Sequence, residues 1–230
     1  MRSGSKRSAI SSAPPELRAW QCRVLAALAK TSLAKDAVFG GATALSLLYL
    51  HHRRSDDIDL FLERMPGPGD ETSAAKAIRS VGLEVESRPL DLRRTLVVLD
   101  GDRAIGHVDL AYYPYEPIAK RTTWQGLRVE SLLDMTVNKL QALLTRGRER
   151  DFVDIYFLLR EGPERDLDRL LAFVRAKFDV GPARATLAEK LLAVERLTEL
   201  PEMIRMVTKA ELESFFEELA RKLVRQSLGS

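Results

Sequence analysis

Apolar positions recur along this chain with two different periods, and each change of period marks an element. Leu17, Trp20, Val24 and Leu28 return every three or four residues after Pro14 and predict a helix. Residues 37–39 are a short apolar run, read as a strand, that ends in Gly40-Gly41. Helical spacing resumes in ATALSLLYLHH, 42–52, and a basic turn of Arg53, Arg54 and Ser55 leads into a strand over 58–62. Proline and glycine break both periods in 65–70, which predicts a loop. A helix over 71–81 is stopped by Gly82. Strands follow at 83–88, 94–99 and 104–112, the last two joined across the hairpin signal Asp100-Gly101-Asp102. Beyond residue 120 the pattern reads as helical: 130–145, 151–160, 167–178, 187–200 and 210–224, with Pro163, Pro182 and Pro201 between them or at their starts. The fold expected is α+β, a mixed sheet with helices over 14–120 followed by a C-terminal helical bundle over 121–230. Residues 1–13 are small, polar and basic and read as a disordered tail.

Composition narrows the class. The chain has 230 residues, 45% hydrophobic and 30% charged, enough apolar material for a core without a metal or disulfide staple. No apolar run approaches the ~18 residues of a membrane span, and the N-terminus lacks the apolar stretch of a signal peptide. The single Cys22 excludes a disulfide framework and a multi-cysteine zinc site. A cytoplasmic protein with no membrane partner is expected. The net charge of +3 permits a nucleotide or nucleic-acid partner without demanding one.

The segment over 39–61 carries the densest chemistry. Gly40-Gly41 falls where a strand meets a helix start, where backbone N–H groups suit a phosphate and glycine allows close approach. Asp57 and Asp59 stand two apart on the next strand, so both carboxylates take one face while Ile58 and Leu60 take the other. Two carboxylates held that close repel, and a divalent cation removes the conflict. Alone, a glycine pair is more often a turn and an Asp-x-Asp more often solvated. Joined by one helix, in this order, they carry the signature of the DNA polymerase β-like nucleotidyltransferases, whose glycines hold the triphosphate and whose aspartates hold the metals.

A third carboxylate is offered by Asp109 in His107-Val108-Asp109-Leu110, on a later strand that could lie beside that of Asp57. Asp91, Asp100 and Asp102 compete, the last two as hairpin residues. In 134–159, Lys139 and Arg146 are seven apart on one helix and share a face. Arg146, Arg148 and Arg150 crowd the turn at Gly147, and Asp151 and Asp154 open the next helix. Cations so placed could stabilise charge on a transferring phosphoryl group. His51, His52 and His107 have no metal-ligand spacing and read as surface or interface residues.

Both segments resemble the AbiEii/AbiGii-type nucleotidyltransferases, the toxin half of type IV toxin–antitoxin and abortive-infection pairs, which include the mycobacterial MenT toxins. The likeness rests on Gly40, Gly41, Ala44, Leu45, Arg53, Ser55, Asp57, Ile58, Asp59 and Leu60, then on Asp134, Lys139, Arg146, Gly147, Asp151, Phe152, Asp154, Ile155, Tyr156 and Phe157. It covers 38–62 and 131–160; elsewhere only the layout matches. It implies transfer of a nucleotide from an NTP with Mg²⁺ (or Mn²⁺). In toxin members it implies an RNA acceptor, the 3′ end of tRNA, and a separately encoded antitoxin as partner. By the same resemblance, Asp57 and Asp59 ligate metal, with Asp109 the candidate third ligand from its strand position. Gly40, Gly41, Arg53, Ser55, Lys139 and Arg146 meet the nucleotide, and Asp151 or Asp154 completes the site. Which of Asp109, Asp151 and Asp154 is the third functional acid stays open at this point. Two alternatives remain. Only 7% of residues are aromatic and no RRM or KH signature is present, so the acceptor could be a protein hydroxyl or a small molecule such as an aminoglycoside. A non-catalytic nucleotide-binding relative is the other.

Overall fold

In the computed structural model, which describes residues 14–181 and 183–228, seven strands form one mixed sheet. The tail expected over 1–13, and Pro182, lie outside the described residues. The strands are β1 (Val38–Gly40), β2 (Asp57–Leu62), β3 (Glu84–Leu90), β4 (Arg93–Asp100), β5 (Arg103–Tyr112), β6 (Thr122–Trp124) and β7 (Leu127–Val129). Their spatial order is β3-β4-β5-β2-β1-β7-β6. Strand β2 reads DIDLFL, and its period of two buries Ile58, Leu60 and Leu62 while Asp57, Asp59 and Phe61 take the more open face. It pairs in parallel with β5 and antiparallel with β1. The short β1 is buried at all three positions, as befits the middle of a sheet.

The helices begin with α1 (Ala19–Leu28) and α2 (Leu33–Asp36); α3 (Gly41–Leu45) then runs directly into a π-helical turn, Ser46–Leu50, ended by His51 in the left-handed region (φ 52°). Helix α4 (Pro68–Arg79) packs on α1, β3 and β4 and supplies part of the long crossover that parallel β2 and β5 require. Proline occupies its first turn, and Asp70 accepts from the Gly67 N–H at 2.8 Å.

The second half is not purely helical, which corrects the sequence reading. The strands β6 and β7 lie beyond residue 120 and extend the sheet, with β7 parallel to β1. Three residues each are too few to display a period. The helices that follow are α5 (Leu132–Thr145), α6 (Glu149–Glu161), α7 (Leu167–Phe178), α8 (Arg184–Leu192) and α9 (Lys209–Leu228). The helix expected over 187–200 starts earlier and stops at Leu192, with a 3₁₀ turn to Arg196. Every residue of α6 from Asp151 to Leu159 is buried, because α5, α9 and the π-helical turn surround it.

A strap near the C-terminus ties the halves together. The Arg54 N–H donates to Glu202 O, the Ile204 N–H donates to His52 O, and Arg53 bridges Met203. One hydrophobic core runs through both halves. No described helix is long and apolar enough to cross a membrane.

Candidate active site

Register alone brings the acids together. Strand pairing sets Asp59 beside Asp109 and Asp57 beside His107, with Gly40 on the far side of Asp59. Asp57, Asp59, His107 and Asp109 all line a cavity of about 440 Å³ that α5 also walls. Asp91, Asp100 and Asp102 lie outside it; the last two flank the hairpin turn at Gly101. Thr95 on β4 stands opposite Asp109 and donates its hydroxyl to Asp109 Oδ1. His107 spans two acids, with Nδ1 3.0 Å from Asp57 and Nε2 3.5 Å from Asp109. Arg150 approaches Asp57 to 3.8 Å and Arg93 approaches Asp109 to 3.5 Å.

These surroundings divide the carboxyls. Burial, then the charges of Asp109 and Asp57, push Asp59 up to about 6. Burial also raises Asp57, against the pull of His107 and Arg150. Burial opposes ionisation of Asp109 as well, but hydrogen bonds from His107 and Thr95 outweigh it and hold the group below the usual range. The His107 imidazole is raised, chiefly by its hydrogen bond to Asp109.

The glycine pair is fixed by space. Gly41 has φ 67°, and a methyl group on it would overlap the carboxyl of Asp59. A methyl group on Gly40 would meet Glu130 Oε2 and the Phe61 ring. Gly41→Ala is therefore expected to cost ~2 kcal/mol in backbone strain and to displace Asp59, lowering any transfer activity about 100-fold. Side-by-side unfolding and rate measurements test this, and an alanine variant with the parent's rate would refute it.

The cationic wall comes from α5, capped by the Ser131 hydroxyl on the Asp134 N–H. Its residues Met135, Asn138, Lys139, Ala142 and Arg146 line the cavity, with Ser55, Arg148 and Arg150 nearby. Asp151 and Asp154, both fully buried, lie behind that wall and do not line the cavity. Asp154 receives Lys139 Nζ at 2.6 Å, His52 Nε2 at 2.7 Å, and Arg53 through Nε at 2.6 Å and Nη2 at 2.8 Å. Asp151 accepts from Arg146 Nε at 2.9 Å and Nη2 at 3.0 Å. The structure thus brings Gly41, Ser55, Asp57, Asp59, Asp109, Lys139 and Arg146 to one cavity, while Gly40 is buried in β1 beside Asp59 and does not line it. It sets Arg53, Asp151 and Asp154 in the buried layer that holds the cations.

The histidine reading is corrected for two of the three. His52 is fully buried against Asp154 and the Phe157 ring, and His107 lines the cavity. His51 is largely exposed and contacts Glu16. Sequence reasoning also missed Phe61, Tyr113, Glu130 and Asn138 in the lining. The alternation of β2 and the i, i+4 spacing from Asn138 to Ala142 to Arg146 were usable signals for Phe61 and Asn138.

Among the described residues, no three His, Cys, Asp or Glu donors already converge as a metal cage. The donor chemistry nonetheless fits Mg²⁺ or Mn²⁺: three hard carboxylates on adjacent strands, one of them raised to about 6 by burial and by the charges of the other two.

Three carboxylates on adjacent strands, facing a lysine and an arginine that buried acids hold in place from behind, are what a phosphoryl-transfer site requires, and on this mixed sheet they point to a nucleotidyltransferase. The comparisons with known proteins agree. The model of the family "Nucleotidyl transferase AbiEii toxin, Type IV TA system" matches residues 23–227, and the chain belongs to that family. Two solved structures from Helicobacter pylori share its fold. JHP933 is 19% identical, covering 91% of this chain and 93% of its own, with a TM-score of 0.54. A candidate nucleotidyltransferase is 17% identical, covering 90% and 92%, with a TM-score of 0.55. At such identities the likeness speaks to fold alone. No curated protein matches the chain.

Proposed function

We propose that this enzyme moves a nucleoside monophosphate from an NTP to an RNA acceptor, the 3′ end of tRNA, as the toxin of its type IV pair. One observation carries the reading: Asp57, Asp59 and Asp109 face Lys139 and Arg146 across a single cavity. Asp57, Asp59 and Asp109 would hold Mg²⁺ or Mn²⁺, which when bound supplies charge neutralisation at the transferring phosphate. Asp109 is the third acid on this reading, since Asp151 and Asp154 are occupied by cations. Being held ionised, Asp109 suits a ligand better than a proton acceptor.

Lys139 and Arg146 meet the triphosphate, and their buried partners keep both side chains aimed rather than solvated. The Gly40-Gly41 backbone and the Ser55 hydroxyl complete the cradle. Arg53 acts through Asp154 and has no contact with the cavity. Arg148 and Arg150 edge both this cavity and the adjoining groove at 198–201, a path suited to acceptor phosphates. Binding of RNA there would weaken steeply with salt.

The test is label transfer. The protein is incubated with Mg²⁺, total tRNA and each α-labelled NTP in turn, beside the double variant Asp57→Ala/Asp59→Ala. Label on tRNA that vanishes in the variant is the expected result. Label on a protein or small molecule, with none on RNA, would overturn the RNA acceptor and keep the chemistry. No label on any acceptor would overturn the transferase reading.

A further inference from the structure

We propose that Tyr113, Asn138 and Glu130 form the wall that selects the base of the incoming nucleoside triphosphate. The inference rests on the reading of the cavity as an NTP site and adds which end of it reads the base.

Two elements give the cavity the same polarity. Along α5 the lining runs from Met135 and Asn138 through Lys139 to Arg146, a span of about 16 Å at the helical rise. It is uncharged at one end and cationic at the other. Along β2 the order runs the opposite way, from Asp57 through Asp59 to Phe61. The two agree because Arg150 reaches Asp57, while Tyr113, next to Phe61, reaches Asn138. The ionic end is therefore Asp57, Asp59, Lys139 and Arg146. The aromatic end is Phe61, Tyr113, Asn138 and Glu130. A nucleoside triphosphate has this same polarity, a flat neutral base at one end and its charge at the other.

The aromatic end is built rigidly. The Phe61 and Tyr113 rings lie 4.8 Å apart. Tyr115 packs edge-on against Tyr113 at 4.9 Å, and the Lys177 ammonium lies 5.4 Å from the Tyr113 ring centroid. The Tyr113 hydroxyl donates to Asn138 Oδ1 at 2.6 Å, and Asn138 Nδ2 donates to Glu130 Oε1 at 2.9 Å. Glu130 is held in turn at its backbone, its N–H on Phe39 O and its C=O receiving the Tyr49 hydroxyl. The other carboxyl oxygen, Glu130 Oε2, is buried with no partner among the described residues. It sits against Gly40 and the Phe61 ring, so close that a side chain at position 40 would collide with it.

The chain fixes which groups remain for a ligand. Asn138 has used its oxygen on Tyr113 and one N–H on Glu130, which leaves one amide N–H. Tyr113 has used its proton, which leaves an oxygen lone pair. A donor and an acceptor held at fixed spacing beside a stacking surface distinguish bases, because the four Watson–Crick edges order their donors and acceptors differently. A site built to hydrogen-bond one edge rejects those that leave its polar groups unpaired.

The experiment measures binding without an acceptor. Affinities of the four α,β-imido NTPs, with Mg²⁺, are compared by calorimetry for the parent, Asn138→Ala, Tyr113→Phe and Lys139→Ala, with thermal unfolding as a fold check. The parent is expected to prefer one base about tenfold or more. Asn138→Ala should reduce that preference to about threefold or less, weakening the preferred analogue most. Lys139→Ala should weaken all four alike and keep the ratio. If Asn138→Ala fails to fold, Tyr113→Phe reads the same ratio. A parent without preference, or an Asn138 variant that keeps it, overturns the base wall while leaving the NTP site intact. Binding of no analogue at all overturns both.

Discussion

Changing Asp59 to asparagine is expected to lower nucleotidyl transfer by about three orders of magnitude and at the same time to make the protein more stable. The loss follows from the proposed role of Asp59 as a metal ligand, whose oxygen the amide does not replace. About 4 kcal/mol of transition-state stabilisation corresponds to that factor. The gain follows from proton linkage. In the fold Asp59 titrates at about 6, against 3.8 for the ordinary group, because burial and the charges of Asp109 and Asp57 disfavour its ionised form. Between those values the folded protein holds a proton that the unfolded chain has released. Stability therefore falls as pH rises through that window, and the cost is complete above it. The full shift would be worth ~3 kcal/mol, and the open side of the carboxyl reduces it to about 2. Urea midpoints with a chelator present should place the variant above the parent at about pH 8, with the gap closing near pH 4. Added Mg²⁺ should stabilise the parent alone. A variant that is both less stable and active would sink the assignment.

Asp154→Asn should produce the opposite pattern, loss of stability and activity together. Asp154 is fully buried, and Arg53 beside it is 2% exposed. Burial opposes its charge, but Arg53 and Lys139 overcome that and hold the carboxyl well below the ordinary range. An amide there leaves two cations short of their counterion, which costs about 3–5 kcal/mol. At this chain length that lowers the unfolding midpoint by about 10 °C. Lys139→Met, by contrast, should retain most of the stability and lose the rate. Paired melting and rate measurements separate the two. An Asp154→Asn protein that melts with the parent would refute the counterion role.

What the chain discloses is local. The β2 acids were legible because a strand's period of two is visible in six residues, and Lys139 with Arg146 because helical spacing is visible in two turns. Asp109 was legible as a strand residue, but its place beside Asp59 depends on a parallel pairing across the whole crossover. The partner of Arg53 lies 101 positions away on α6 and leaves no trace near Arg53. His52 looked like the end of an amphipathic helix because the π-helical turn over 46–50 shifts the facing of the residues after it. Glu130 looked like the first residue of a helix; it belongs to the buried junction between β7 and α5. Periodicity reveals which face a residue takes and is silent on its packing partners.

The strap over 202–205 has a consequence in time. The acidic half of the site needs only β1, β2 and β5, all present once residue 112 has been made. The loop bearing His52 and Arg53, whose side chains share Asp154 with Lys139, is clasped by backbone that emerges some ninety residues later. A chain short of that point has both Lys139 and Asp154, yet the loop that brings His52 and Arg53 to the same carboxylate is without its backbone clasp.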